Sequence, residues 1–113
     1  MRVLLDQGTP APLRLALQGH SVATAHEKGW ATLTNGELLA AAESAFDVFV
    51  TTDQNLRYQQ NLGGKRLAIL VLPTTSWPKL RLHTASIAAA VATLRPGELL
   101  EWSFPAEGTE PDG

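Results

Sequence analysis

Two aspartates in this 113-residue chain each close a short apolar run. Asp6 follows Arg2-Val3-Leu4-Leu5, and Asp53 follows Asp47-Val48-Phe49-Val50-Thr51-Thr52. If both runs are strands of one sheet, the two carboxylates converge above its end. Like charges held that close are costly without a cation. A hard ion such as Mg²⁺ or Mn²⁺ resolves the cost, and Mg²⁺ needs only one or two carboxylates because it keeps several waters. Such an ion polarises a phosphoryl oxygen and delivers an activated water, the chemistry of phosphodiester hydrolysis. The expectation is that the two side chains lie within shared-ion reach, about 4–6 Å, the range in which charges shift each other's pKa.

Each aspartate also has a plain structural reading. Asp53 suits the N-cap of a following helix, and Asp6 suits a turn before Thr9-Pro10. Taken singly these readings lead; taken together at matched strand ends, the shared site leads. Glu37 is a third candidate ligand and catalytic group, although Thr34-Asn35-Gly36-Glu37 is also a complete capping box. Gln7, Thr52 and Asn55 are supporting polar candidates: a first-turn side chain, a hydroxyl, and a carbonyl oxygen that could orient a metal-bound water. Arg57 and Tyr58 could meet a phosphate or stack a base. Glu27 and Glu43 read as solvated, and Asp47 begins its strand at the opposite edge. His20, His26 and His83 lack metal-ligand spacing.

Positioning these residues requires alternating strands and helices, and the hydrophobic period switches accordingly. Strands are expected over Arg2–Leu5, His20–Ala25, Asp47–Thr52, Leu67–Leu72 and Glu98–Phe104. Between them, a first helix has Thr9 as N-cap and Pro10 at its first position, carries Leu13 and Leu17 on one face, and ends at Gly19. A second follows the capping box through Leu38, Leu39 and Ala42. A third runs from Asp53 to Leu62. A fourth runs from Trp77 or Pro78 to Leu94, with Leu80, Ile87, Val91 and Leu94 in one stripe. The pattern predicts a three-layer α/β/α domain on a mostly parallel five-stranded sheet, with right-handed crossovers and strand order 3-2-1-4-5. The domain covers residues 1–104, and 105–113 form a flexible Pro-, Gly- and acid-rich tail.

Composition narrows the function classes. The formal net charge is −2 and 44% of residues are hydrophobic, a globular composition without the basic excess that holds nucleic acid by bulk charge. A nuclease remains compatible, because bound metal supplies positive charge where the phosphate sits. There are no cysteines, which excludes disulfides and thiolate metal sites. No stretch reaches the apolar length of a membrane span, and the start lacks the layout of a signal peptide, so a cytoplasmic protein is expected. Trp30 and Trp77, in irregular segments, are either covers over helix ends or anchors of a homodimer.

The run Val3-Leu4-Leu5-Asp6, then a Pro-bearing helix and Gly19-His20-Ser21-Val22, resembles the opening of short PIN-like bacterial proteins related to VapC toxins. The block Phe46–Leu56 resembles that family's strand ending in Thr-x-Asp, and Asn35–Leu39 and Leu94–Glu98 fall where the family has similar runs. The likeness covers about residues 1 to 103. It implies a PIN-like fold and a Mg²⁺- or Mn²⁺-dependent ribonuclease, with Asp6 as first acid, Asp53 as the acid after the third strand, and Glu37 as the helical acid. It also implies an RNA substrate, an antitoxin protein as partner and a homodimer. The chain departs from the family at Gln7 and Asn55, where many relatives carry further acids. The alternative reading is therefore a catalytically weak or inactive PIN-like module that binds RNA or a protein. A phosphoacceptor receiver domain ranks last, because it needs an acidic pair after strand one and a Lys after strand five.

Overall fold

The computed structural model describes residues 1–56 and 65–105. Its elements are β1 (Arg2–Leu5), a 3-10 helix η1 (Ala11–Ala16), β2 (Ser21–Thr24), α1 (Asn35–Ala45), β3 (Val48–Thr51), β4 (Ala68–Val71), α2 (Trp77–Leu80), a 3-10 turn η2 (Arg81–His83), α3 (Thr84–Thr93) and β5 (Leu99–Glu101). All five strands are parallel, in the order β2-β1-β3-β4-β5. This corrects the expected order 3-2-1-4-5. The chain reverses direction after its second strand rather than its third: β2 takes the outer side of β1, and β3 returns to the inner side, pairing Leu5 with Val50.

Period-two alternation sorts the strands onto two faces. Val3, Leu5, Val48, Val50, Ala68 and Leu70 share one buried cluster with Leu13 and Leu17 of the η1 region, and with Leu80, Ile87 and Val91 of α2 and α3. Leu4, Phe49, Ile69 and Val71 share the other with Leu38, Leu39 and Ala42 of α1. The result is a three-layer α/β/α sandwich. Both faces of β1, β3 and β4 are covered, which is why these strands read as unbroken apolar runs. Burial of each such side chain contributes about 1.5–3 kcal/mol.

The layering corrects a second expectation. β2 and β5 lie at opposite edges of the sheet, yet the helices leading to them lie on the same face. Connections running in opposite directions over one face have opposite hands. One of the two therefore departs from the right-handed rule that most such crossovers obey.

Local chemistry explains the remaining differences. Pro10 occupies the N-cap of η1 and makes no side-chain cap, while the Thr9 hydroxyl donates to the Val50 carbonyl at 3.3 Å. Thr9 thus ties η1 to β3 instead of capping a helix. The fourth predicted helix is interrupted at η2. His83, at φ −124° and ψ 21°, leaves helical geometry there and packs its ring 5.7 Å from Trp102 and 5.1 Å from Phe104. The apolar stripe survives the break, with Leu80, Ile87 and Val91 all fully buried. The capping box of α1 is present as predicted, with Thr34 and Glu37 exchanging hydrogen bonds. Most of the helix expected over 53–62, and the tail from 106 on, lie outside the described residues.

Candidate functional site

Strand parity places the two aspartates. Asp6 continues β1 two residues beyond Leu4, and Thr51 ends β3 two residues beyond Phe49, so both stand on the α1 face. The Asp6 N–H donates to the Val50 carbonyl at 2.8 Å, which extends the β1–β3 pairing to the aspartate itself. The connection after β1 leads out to β2, and the one after β3 leads the other way to β4. Asp6 and Asp53 therefore flank the point where an open parallel sheet switches direction, the position at which such sheets gather ligands.

Thr51 joins them. It is fully buried, its hydroxyl donates to Asp6 Oδ2 at 2.7 Å, and its oxygen accepts the Asp53 N–H at 3.1 Å. Asp6 Oδ1 accepts the Gln7 N–H at 2.8 Å. Asp53 Oδ1 accepts the Asn55 N–H at 3.0 Å, and Oδ2 accepts Asn35 Nδ2 at 2.9 Å. Among the described residues every donor to the two carboxylates is neutral. Among the described residues no cation pairs with either one, whereas Glu27, Glu43 and Asp47 each pair with an arginine. Each carboxylate oxygen has two lone-pair sites and has met one donor, so capacity for a cation remains on both groups.

The supporting residues are redistributed. Gln7 and Asn55 serve through their backbone amides. The cluster hydroxyl belongs to Thr51, not Thr52, because alternation turns Thr52 away. The Thr52 Oγ1 lies only 3.3 Å from where a Cβ on Gly8 would sit, so it packs against the first turn. Glu37 is exposed, and its carboxylate accepts the Thr34 N–H at 2.9 Å. The capping box accounts for it, and among the described residues no group of three or more His, Asp or Glu is placed to hold a metal. Arg57 and Tyr58 lie outside the described residues.

Thr51 and Asn35 are the two contributors that sequence reasoning missed. Alternation from Phe49 would have found Thr51. Asn35 sits in the first turn of α1, and a helix that follows a strand begins at the strands' carboxyl end, beside the acids.

Glu27 and Glu43 are not simply solvated. Glu27 bonds the Thr24 N–H and the Arg14 guanidinium, and the arginine beside it holds its carboxyl below the usual range. Glu43 accepts the N–H groups of Arg66 at 2.8 Å and Leu67 at 3.0 Å, and these amides likewise lower its pKa. Asp47 binds the Arg2 side chain and backbone N–H at the far end of the sheet, as expected of a residue outside the cluster.

Trp30 packs edge-on to Phe46 with ring centroids 6.0 Å apart, and Trp77 packs partly buried against the core. Both cover the core of the single chain. No described helix is long and apolar enough to cross a membrane. No protein-family model matches the chain, and no curated protein or solved structure matches it significantly.

Proposed function

We propose that the chain is a metal-dependent ribonuclease of PIN-like type, with Asp6 and Asp53 as the acids that would hold Mg²⁺ or Mn²⁺. The observation that carries this reading is the pair of carboxylates tied through Thr51 at the β1–β3 switch point, bonded among the described residues by neutral groups alone. Three other carboxylates, Glu27, Glu43 and Asp47, are each neutralised by an arginine. A pair with no cation partner among the described residues, in a half-buried setting, suits a divalent ion, whose preferred ligands are carboxylate oxygens and water. When bound, such an ion stabilises charge on a scissile phosphate and lowers the pKa of a water. The chain's own part is to hold Asp6 and Asp53 in fixed orientation, through Thr51 from below and Asn35 from α1. The resemblance noted in the sequence supports RNA as substrate, an antitoxin protein as partner and a homodimer as the working form.

A second reading, a PIN-like module without strong catalysis, draws on one observation: Glu37 is taken by its cap and joins no three-carboxylate group. The strand order is also that of receiver domains, but the segment after β5 is Trp102-Ser103-Phe104, without the required lysine.

Purified protein should cleave a mixed-sequence RNA in Mg²⁺ or Mn²⁺ and stop on addition of EDTA. Asp6→Asn should lower the rate on the order of a hundredfold or more. Cleavage that survives EDTA, or that Asp6→Asn leaves intact, would overturn the catalytic assignment. Failure of the wild type to cleave any RNA in either metal would select the binding-module reading.

A further inference from the structure

A cleft of about 370 Å³ opens beside Asp6, lined also by Thr9, Arg14, Thr24, His26 and Glu27. Arg14 is the arginine of this cleft, and its placement is built from two directions. On η1, three-residue periodicity aligns it with Ala11, another lining residue. From the opposite wall its guanidinium is held by Glu27. Glu27 is itself fixed at the end of β2, accepting the Thr24 N–H at 3.0 Å while its own N–H donates to the Thr24 hydroxyl at 3.0 Å. One acceptor does not satisfy a guanidinium, which has five N–H donors in a rigid fork. The Arg14 Nε is buried and has no hydrogen-bond partner among the described residues. A half-exposed ion pair adds little to stability, so folding alone gives weak cause to immobilise an arginine here with a donor left over.

We infer that Arg14 is a phosphate-binding residue, held by Glu27 at the cleft beside Asp6 to engage a backbone phosphate of single-stranded RNA next to the one that is cut. This rests on the ribonuclease reading for the identity of the ligand. The inference deepens that reading by naming a contact outside the acid pair. On this reading an acidic protein meets a polyanion with an oriented fork instead of a basic surface. Arginine suits the role because its planar fork matches two phosphate oxygens at once. The Glu27 carboxylate holds Nη2 and the Nε is buried, which leaves the Nη1 side of the guanidinium for the ligand.

The test is RNA binding without metal, so that it stands apart from catalysis. A fluorescein-labelled, mixed-sequence single-stranded 12-mer RNA is titrated in EDTA at several salt concentrations, and anisotropy gives the affinity. Arg14→Ala should weaken binding about tenfold and reduce the slope of log affinity against log salt by about 0.7, the value of one phosphate contact on a single strand. Arg14→Lys should restore the salt slope, because the charge returns, but not the full affinity, because the fork does not. Melting temperature, followed alongside, guards against a folding defect. A slope unchanged in Arg14→Ala would overturn the inference, as would full affinity in that variant. The two readings separate cleanly. Arg14-dependent binding by a protein that never cleaves RNA would keep this contact and remove the nuclease. Metal-dependent cleavage indifferent to Arg14→Ala would do the reverse.

Discussion

The two ends of the sheet handle negative charge in opposite ways. At the amino end of the strands, Asp47 meets Arg2 and Glu43 meets Arg66, and a cavity of about 310 Å³ there is lined by both pairs. Each of these acids also binds backbone N–H groups at the start of a neighbouring strand. Charge there closes the fold. At the carboxyl end, Asp6 and Asp53 are oriented by a hydroxyl, an amide side chain and two backbone amides, with no described cation paired to either. The contrast teaches that orientation and neutralisation are separable. Asp47 and Glu43 receive both, and among the described residues Asp6 and Asp53 receive only orientation, which leaves their charge available to a ligand.

The sharpest way to break the comparison is Asp53→Asn. Asn keeps the local acceptor for the Asn55 N–H, a flip of the Asn35 amide lets its oxygen accept from the new Nδ2, and Asn and Asp cap about equally well, so metal-free stability should stay within about 0.5 kcal/mol. A ligand at a hundred times its Kd stabilises the folded state by about 2.7 kcal/mol, roughly 10 °C of melting temperature in a domain this small. That metal-dependent rise should appear in the wild type and vanish in Asp53→Asn. Melting curves with EDTA and with Mn²⁺ decide it. An equal rise in both proteins would make Asp53 a cap and nothing more.

The opposite end should respond in stability alone. Glu43→Ala removes the acceptor of the Leu67 N–H on a buried residue, a loss of about 1–3 kcal/mol, with the metal-dependent shift intact. Urea denaturation with and without Mn²⁺ measures both quantities. Acid titration sharpens the same point. The Arg66 and Leu67 amides hold the Glu43 carboxyl below its ordinary 4.5, and the Arg2 side chain holds Asp47 below its ordinary 3.8. The stability they contribute is complete above those ordinary values and is lost as pH falls through the lowered ones. In Glu43→Gln, thermal melts followed from pH 6 to pH 3 should show a shallower acid decline than the wild type.

The smallest effect is expected from Glu37→Gln. Glutamine serves a capping box as well as glutamate does, so melting temperature should be almost unchanged. A metal-dependent rise that also persists would confine Glu37 to the cap, whereas a rise that disappears would add it to the acid pair as a ligand.

Much of the architecture was legible in the sequence because it rests on local rules. The apolar runs ending at Leu5, Thr51 and Val71, the Thr34–Glu37 box and the Leu80–Ile87–Val91 stripe all appear near their predicted places. What was not legible depends on contacts distant along the chain. Nothing local in β2 says on which side of β1 it will lie, so the strand order was misjudged. Nothing local in Thr9 says that its hydroxyl will find Val50. The aspartates were visible because residue type and strand ends coincide. Thr51 was hidden behind Thr52, since an adjacent pair of identical residues can be separated only by knowing which face each one takes.

The Thr51–Asp6 hydrogen bond spans forty-five positions of chain. Its partners meet through the pairing of β1 with β3, strands that are not consecutive and are parallel. Contacts of this kind form late, because the closure of a long loop must precede any reward from the pairing. A chain emerging from the ribosome therefore carries two remote aspartates and no site until β3 has been made and has docked. A one-residue slip in that docking would turn Thr51 toward the opposite layer and dissolve the cluster. The charge centre thus exists only in chains whose central strands are in register.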